Sequence, residues 1–247
     1  MEANRVKDCN CSGCRQEDCS WIFSGLSDEE FTEFTSMVKH VDYEGEETVF
    51  QEGALAFGLY IVCQGKVKVT GKSPCGKRQI LKLLGAGEVL GEEALFSDGS
   101  YTCFARTLEP STLAFVPKDK FLEFIVEHPS VAFKLIEKLA RELVAFQSKL
   151  VEVAYGSSEE RLARLLLAMG ERFGRAEGSR LDIGLVLSRA ELAELAGIAP
   201  ETAIRTLSRL REEGVIQLEG HRIVILDLDG LQQLARPLPV AVRENLL

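Results

Sequence analysis

Four thiols stand within eleven positions near the start of the chain: Cys9, Cys11, Cys14 and Cys19, in the stretch CNCSGCRQEDC. Thiolates are soft anionic ligands, and a set of four suits zinc or an iron–sulfur cluster. They can also exchange as a thiol–disulfide switch. Three further Cys are scattered. Cys63, in GLYIVCQG, reads as a small apolar core residue. Cys75, in KSPCGKR, reads as an exposed residue of a hairpin turn, and Cys103 follows in YTCFARTL. The three His, His40, His128 and His221, fall in different segments. They form no His–carboxylate cluster of the kind a cupin-like metalloenzyme needs, and no Ser–His or Cys–His pair stands out, so an enzyme is not expected.

A second group of chemically able residues lies far downstream, in LSRAELAELAGIAPETAIRTLSRLREEGVIQLEGHRIVILD. Ser188 and Glu191 form a capping box, Gly197 closes the helix it starts, and Pro200 opens another. A helix, a short turn with Gly and a second helix make a helix-turn-helix. The strand–EGH–strand segment that follows reads as a wing. On the second helix Glu201 and Arg205 are one turn apart and face the same way.

The elements that must position these groups have distinct patterns. The polar start carries no apolar run of the signal-peptide type, and no run approaches the roughly 18 residues of a membrane span. A cytoplasmic protein is expected, whose thiols serve metal or redox chemistry rather than a disulfide framework. After the leader, residues 1–20, SDEEFTEFTSMV reads as a helix capped by Ser27 with acids at its positive end. From Val41 to Pro117, short β-type runs are punctuated by Gly, Pro and Asp every 8–12 residues or so, as in an antiparallel barrel or jelly roll. YTCFARTL and STLAFVP are expected to pair as a hairpin about Glu109–Pro110. Then comes HPSVAFKLIEKLARELVAFQSKLVEVA, opened by Pro129. Ala132, Leu135, Leu139, Leu143, Phe146, Leu150 and Val153 step by three or four, an a/d seam over about three heptads that predicts a homodimer. GSS at Gly156–Ser158 reads as a hinge. The fold class is therefore α+β: leader 1–20, β-roll 21–128, dimerisation helix 129–155 and winged helix-turn-helix 156–247. The net charge of −9 excludes general polyanion binding by the whole-molecule field. Residues 156–247 hold 12 basic and 14 acidic side chains, so any DNA-binding basic residues must be gathered on one face.

This order, with GEVLGEEALF in the barrel and ELAELAGIAPETAIRTLSRLREEGVI in the reader, resembles the Crp/Fnr family of bacterial transcription regulators over residues 20–235. The resemblance implies a jelly-roll domain of the cyclic-nucleotide-binding type, a dimer on pseudo-palindromic double-stranded DNA, and RNA polymerase as a partner, with Leu95–Gly99 as its contact loop. It places Glu201 and Arg205 at base edges, Arg on G O6/N7 and Glu on C N4, with Thr202 bonding a phosphate or a base. Arg209, Ser188, Arg189 and the wing's His221 or Arg222 would contact phosphates. Ile204 could meet a thymine methyl.

Cyclic-AMP-binding members hold the phosphate with an Arg-Ser or Arg-Thr pair. Glu88 and Glu92 match the preceding Glu positions, but Tyr101–Thr102 stands where that pair would be, and Arg106 is out of register. A buried phosphate without a cation is costly, so cyclic-nucleotide binding is not expected. The leader, Cys11-x2-Cys14-x4-Cys19, resembles that of the iron–sulfur members, which implies a [4Fe–4S] or [2Fe–2S] cluster sensing oxygen, nitric oxide or redox state. Zinc or a thiol switch is the alternative. The family's internal Cys aligns with Ala114. Cys103, across the expected hairpin, is the first candidate for the fourth ligand, Cys9 its rival, and Cys63 or Cys75 the remaining ones. A different regulator of the same family, with haem or a small acid in the β-roll, would use Glu92, Tyr101, Thr102, Cys103 and Cys63 as its pocket.

Overall fold

A computed structural model describes residues 6–7, 26–178 and 180–235. The leader thiols Cys9, Cys11, Cys14 and Cys19 lie outside the described residues. The chain divides into two units, Met1–Arg141 and Glu142–Leu247. The division falls inside the long helix, whereas the sequence points to a hinge at Gly156–Ser158.

The first unit is a β-roll of two sheets. One has the order β1-β2-β9-β4-β7, the other β3-β8-β5-β6. The strands are β1 (Val6–Lys7), β2 (Lys39–Tyr43), β3 (Thr48–Phe50), β4 (Gly58–Gln64), β5 (Val67–Lys72), β6 (Arg78–Leu84), β7 (Val89–Leu90), β8 (Phe104–Thr107) and β9 (Ser111–Pro117). Strand alternation sends the side chains of β4 to opposite faces. Tyr60 and Val62 join Phe50, Val67, Val69, Leu84, Ala105 and Leu113 between the sheets. Leu59, Ile61 and Cys63 point the other way, into a second core under the helices.

Those helices are α1 (Asp28–Met37), α2 (Lys118–Glu127) and the start of α3 (Pro129–Tyr155). Ser27 caps α1 as expected: its hydroxyl accepts from the Glu30 amide while Glu30 accepts from the Ser27 amide. Phe34 and Met37 of α1, Phe121 and Phe124 of α2, and Val131 and Leu135 of α3 pack on the outer face of the five-stranded sheet. His128, at the α2–α3 corner, reaches Glu30 with Nδ1 at 3.1 Å and Glu33 with Nε2 at 3.2 Å, so α1 is tied to the root of the long helix.

Two expectations are corrected here. The segments YTCFARTL and STLAFVP do not form a hairpin. β8 pairs with β3 and β5, while β9 pairs with β2 and β4 in the other sheet. Glu109–Pro110 is thus a crossing between layers; each strand finds its hydrogen bonds with sequence-distant partners, which local patterning does not reveal. The α3 seam is also split. Leu135 is only 3% exposed and sits in the outer-face core, so it is not a dimer residue. Leu139 is partly buried against the same core. Leu143, Phe146 and Leu150, by contrast, are 57%, 65% and 63% exposed, as are Phe133 (69%) and Ile136 (59%) on the flank of α3 away from Leu135.

The second unit contains α4 (Ser158–Phe173), β10 (Arg175–Glu177), β11 (Arg180–Asp182), α5 (Arg189–Ala196), α6 (Pro200–Glu212), β12 (Ile216–Glu219), β13 (Arg222–Ile225) and α7 (Leu228–Leu234). Its four-stranded sheet runs β10-β11-β13-β12. Leu162, Leu166, Leu192, Leu207 and Leu210 are fully buried and mark where α4, α5 and α6 meet. Among the described residues, no helix is long and apolar enough to cross a membrane.

Candidate nucleic-acid interface and β-roll pocket

The α5–turn–α6 unit is set by its caps. Ser188 caps α5 reciprocally with Glu191, and Gly197 ends it in the left-handed conformation at φ 64°. Pro200 starts α6 at a position that lacks an amide partner in any case. Ala203, Thr206, Leu207 and Leu210 bury one side of α6. Glu201, Ile204, Arg205 and Arg209 are left exposed on the other, with Thr202 half-exposed. Glu201 and Arg205 therefore share a free face, as their spacing requires.

Four of the expected phosphate contacts have other partners. The Ser188 hydroxyl donates to Glu191 at 2.8 Å and serves as a cap. Arg189 donates to the Gly220 carbonyl at 3.0 Å and fastens α5 to the wing turn. Partial burial holds its guanidinium below the usual arginine range. Arg209 is ion-paired with Glu159 of α4 and lies 3.6 Å from Glu213. In the wing, Arg222 donates to Asp182 through Nε at 2.8 Å and NH2 at 2.7 Å, clamping β13 on β11. That hydrogen bond keeps the Asp182 carboxyl below the usual carboxylate range. The role of Glu159 was missed in the sequence, because it lies 50 positions from its partner.

In the β-roll, the residues named for an effector pocket do not come together. Tyr101 is buried between the sheets, its ring stacked on Phe50 with centroids 3.9 Å apart and its hydroxyl donating to Gly58 at 2.7 Å. Gly91, at φ 82°, makes room for it: a Cβ there would stand 2.9 Å from the Tyr101 ring. Thr102 is exposed. Cys63 packs in the outer-face core, a different layer from Tyr101. Glu92 is fully buried, and its Oε1 takes the ammonium of Lys138 from α3, while its Oε2 has no hydrogen-bond partner. Burial pushes the Glu92 carboxyl up, and the Lys138 charge opposes that shift. Arg106 faces out toward Glu46 at 3.5 Å, away from this space.

Cys103 lies between the sheets. It is 4% exposed among Phe50, Val69, Leu90 and Ala105, and burial pushes its thiol up to about 11. A thiol so held is protonated near neutral pH when no metal is bound. Ala114 lies on the opposite, outer face of its sheet, paired with His40 and Ile61. Among the described residues, the group that could gather round a cation is Glu33, Glu127 and His128, which contains no thiol.

Residues 40–128 match the family described as Cyclic nucleotide-binding domain, and residues 160–234 match the Crp-like helix-turn-helix domain. The chain is 31% identical over 215 residues to the CRP-like cAMP-activated global transcriptional regulator of Mycobacterium tuberculosis, covering 87% of this chain and 96% of that one. The chain belongs to the Crp/Fnr family of transcription regulators. As in that family, it is a DNA-binding regulator and not an enzyme. A second Crp/Fnr-like relative is Electron transport regulator A of Shewanella oneidensis, 26% identical with 95% of this chain and 96% of that one covered. The solved structure of FixK2 from Bradyrhizobium japonicum superposes with a TM-score of 0.72 at 25% identity, over 81% of this chain and 98% of that one. The β-roll, the long helix and the winged helix-turn-helix thus form the family architecture, with α6 inside the matched helix-turn-helix domain.

Proposed function

We propose that this Crp/Fnr regulator is a homodimer whose signal is received by the thiols of its leader. An iron–sulfur cluster, [4Fe–4S] or [2Fe–2S], is the group they hold, with zinc as the alternative. The observation that carries this reading is the packing of Tyr101 and Glu92 in the β-roll. Tyr101 occupies the inter-sheet space, and the buried Glu92 is already neutralised by Lys138. Tyr101–Thr102 in place of the phosphate-holding pair, with Arg106 turned out toward Glu46, weighs against a cyclic nucleotide, although the Mycobacterium relative is named cAMP-activated. The match to an electron transport regulator over 95% of this chain supports a redox signal.

Four soft thiolates, Cys9, Cys11, Cys14 and Cys19, form a donor set that fits iron or zinc. With Cys103 buried as a thiol, Cys9 takes the fourth place, and Cys63, half-buried on the same outer face as Ala114, is the next candidate. A cluster there would supply reactivity toward oxygen, nitric oxide or electrons. The leader joins the β-roll at two points: β1 lies on the edge of β2, and α1 packs in the core that also holds Val131 and Leu135 of α3. Ordering of the leader would therefore be felt at the root of the long helix. The exposed Leu143, Phe146 and Leu150 pair with a second copy and set two α6 helices about 34 Å apart on a pseudo-palindrome. Within each half-site Glu201 and Arg205 read one G·C pair. RNA polymerase is met by the turn that exposes Phe96.

Anaerobic purification, with an absorbance spectrum and assays for iron, zinc and acid-labile sulfide, tests the reading. Brown protein with iron and sulfide that bleaches in air supports it. Zinc alone favours the structural alternative, and colourless protein without metal that binds a small molecule would refute both.

A further inference from the structure

Along its exposed side α6 carries Thr202 and Arg205, then Arg209 one turn on. Beside them, between α6 and the first turn of α4, runs a groove of about 270 Å³ lined by Ser158, Glu159, Thr202, Arg205, Thr206 and Arg209. Arg209 and the hydroxyls of Ser158 and Thr206 are donors of the kind that recognise a phosphodiester, next to the base-reading Arg205. The one carboxylate in the groove, Glu159, is ion-paired with Arg209. A guanidinium fork offers carboxylate and phosphate the same parallel donors, so the two compete for one place. Glu213, 3.6 Å from the other side of Arg209, leaves this corner with more negative than positive charge.

We infer that Glu159 is an internal stand-in for a DNA backbone phosphate, and that the α4–α6 groove is a phosphodiester site which the protein keeps closed with its own carboxylate. DNA must displace Glu159 from Arg209 to enter. The pair thereby restrains sequence-independent affinity without touching the base-reading residues, in a chain whose second unit carries no basic excess. The inference rests on α6 being the DNA-reading helix.

The test is fluorescence anisotropy of the full-length protein with a labelled random-sequence duplex over a salt series. Glu159→Gln keeps the shape and removes the charge. The expected result is binding about three- to tenfold tighter than wild type near 0.1 M salt, with the slope of log K against log salt steeper by about 0.9. Arg209→Gln should weaken binding in the wild type, since it removes the donor and leaves the Glu159 charge uncompensated, and should abolish the gain in the Glu159→Gln background. Circular dichroism melts check that each variant is folded. Unchanged or weaker binding by folded Glu159→Gln, with the wild-type slope, overturns the inference while leaving the DNA-reading assignment intact. Failure of both wild type and variant to bind duplex at low salt overturns the two together.

Discussion

Cys75 and Cys103 have the same side chain and opposite chemistry. Cys75 is exposed, and its contact with the Ser73 hydroxyl at 3.1 Å holds its thiol below the usual range. Cys103 is sealed between the sheets with its thiol pushed up to about 11. Alkylation of native protein near pH 8, followed by peptide mapping, should therefore label Cys75 early and leave Cys103 unlabelled until denaturant is added. Comparable labelling of Cys103 in the native protein would contradict its placement. For the same reason Cys103→Ser should leave metal content unchanged, whereas Cys11→Ser or Cys14→Ser should lower it. At the other end of the chain, Arg205→Ala should cost about 1–3 kcal/mol of binding to the selected site and relax the preference for G·C at one position of each half-site. Glu201 and Arg205 were legible because exposure on α6 follows helical spacing alone. The commitments of Arg209 to Glu159 and of Arg222 to Asp182 were not, because each joins residues some 40 or 50 positions apart that only the tertiary fold brings together.

The long helix shows how far element-scale patterning reaches. Its start at Pro129 and its length followed from local signals, and so did its apolar character. Its pattern did not say which apolar residues face the β-roll, because one stripe runs the length of α3 and only its first part, Val131 to Leu139, packs on the roll. Leu135 faces inward with Val131; Leu143, Phe146 and Leu150 do not. Leu135→Ala should thus lower stability by about 2–5 kcal/mol in urea unfolding at fixed dimer affinity. Leu150→Glu should do the reverse, shifting the dimer toward monomer in light scattering while the monomer keeps its fold. Lys138, on the part of α3 that packs on the roll, neutralises Glu92. Lys138→Met would strand a buried carboxylate and cost about 3–5 kcal/mol, and adding Glu92→Gln should recover most of that loss. Equal stability of the single and double variants would show that the pair does not hold α3 to the roll.

At the scale of the whole molecule, the order of domains was readable, since turn-punctuated strands, a heptad helix and a capped helix-turn-helix each leave a local signature. Sheet partners were not. The crossing at Glu109–Pro110 looks like a hairpin turn in sequence, yet the strands on either side enter different layers. The hairpin reading placed Cys103 beside Ala114, whereas the fold buries the two in different cores. With Tyr101 packed between the sheets and Glu92 paired with Lys138, the proposal locates sensing in the leader and reading in α6, and a net charge of −9 confines DNA attraction to local surface. One titration tests this most directly: anisotropy of a duplex selected by the anaerobically purified protein, measured under anoxia, after exposure to air, and under anoxia with cyclic AMP. The account predicts that air changes the affinity and cyclic AMP does not. A cyclic AMP response in protein indifferent to air would contradict it.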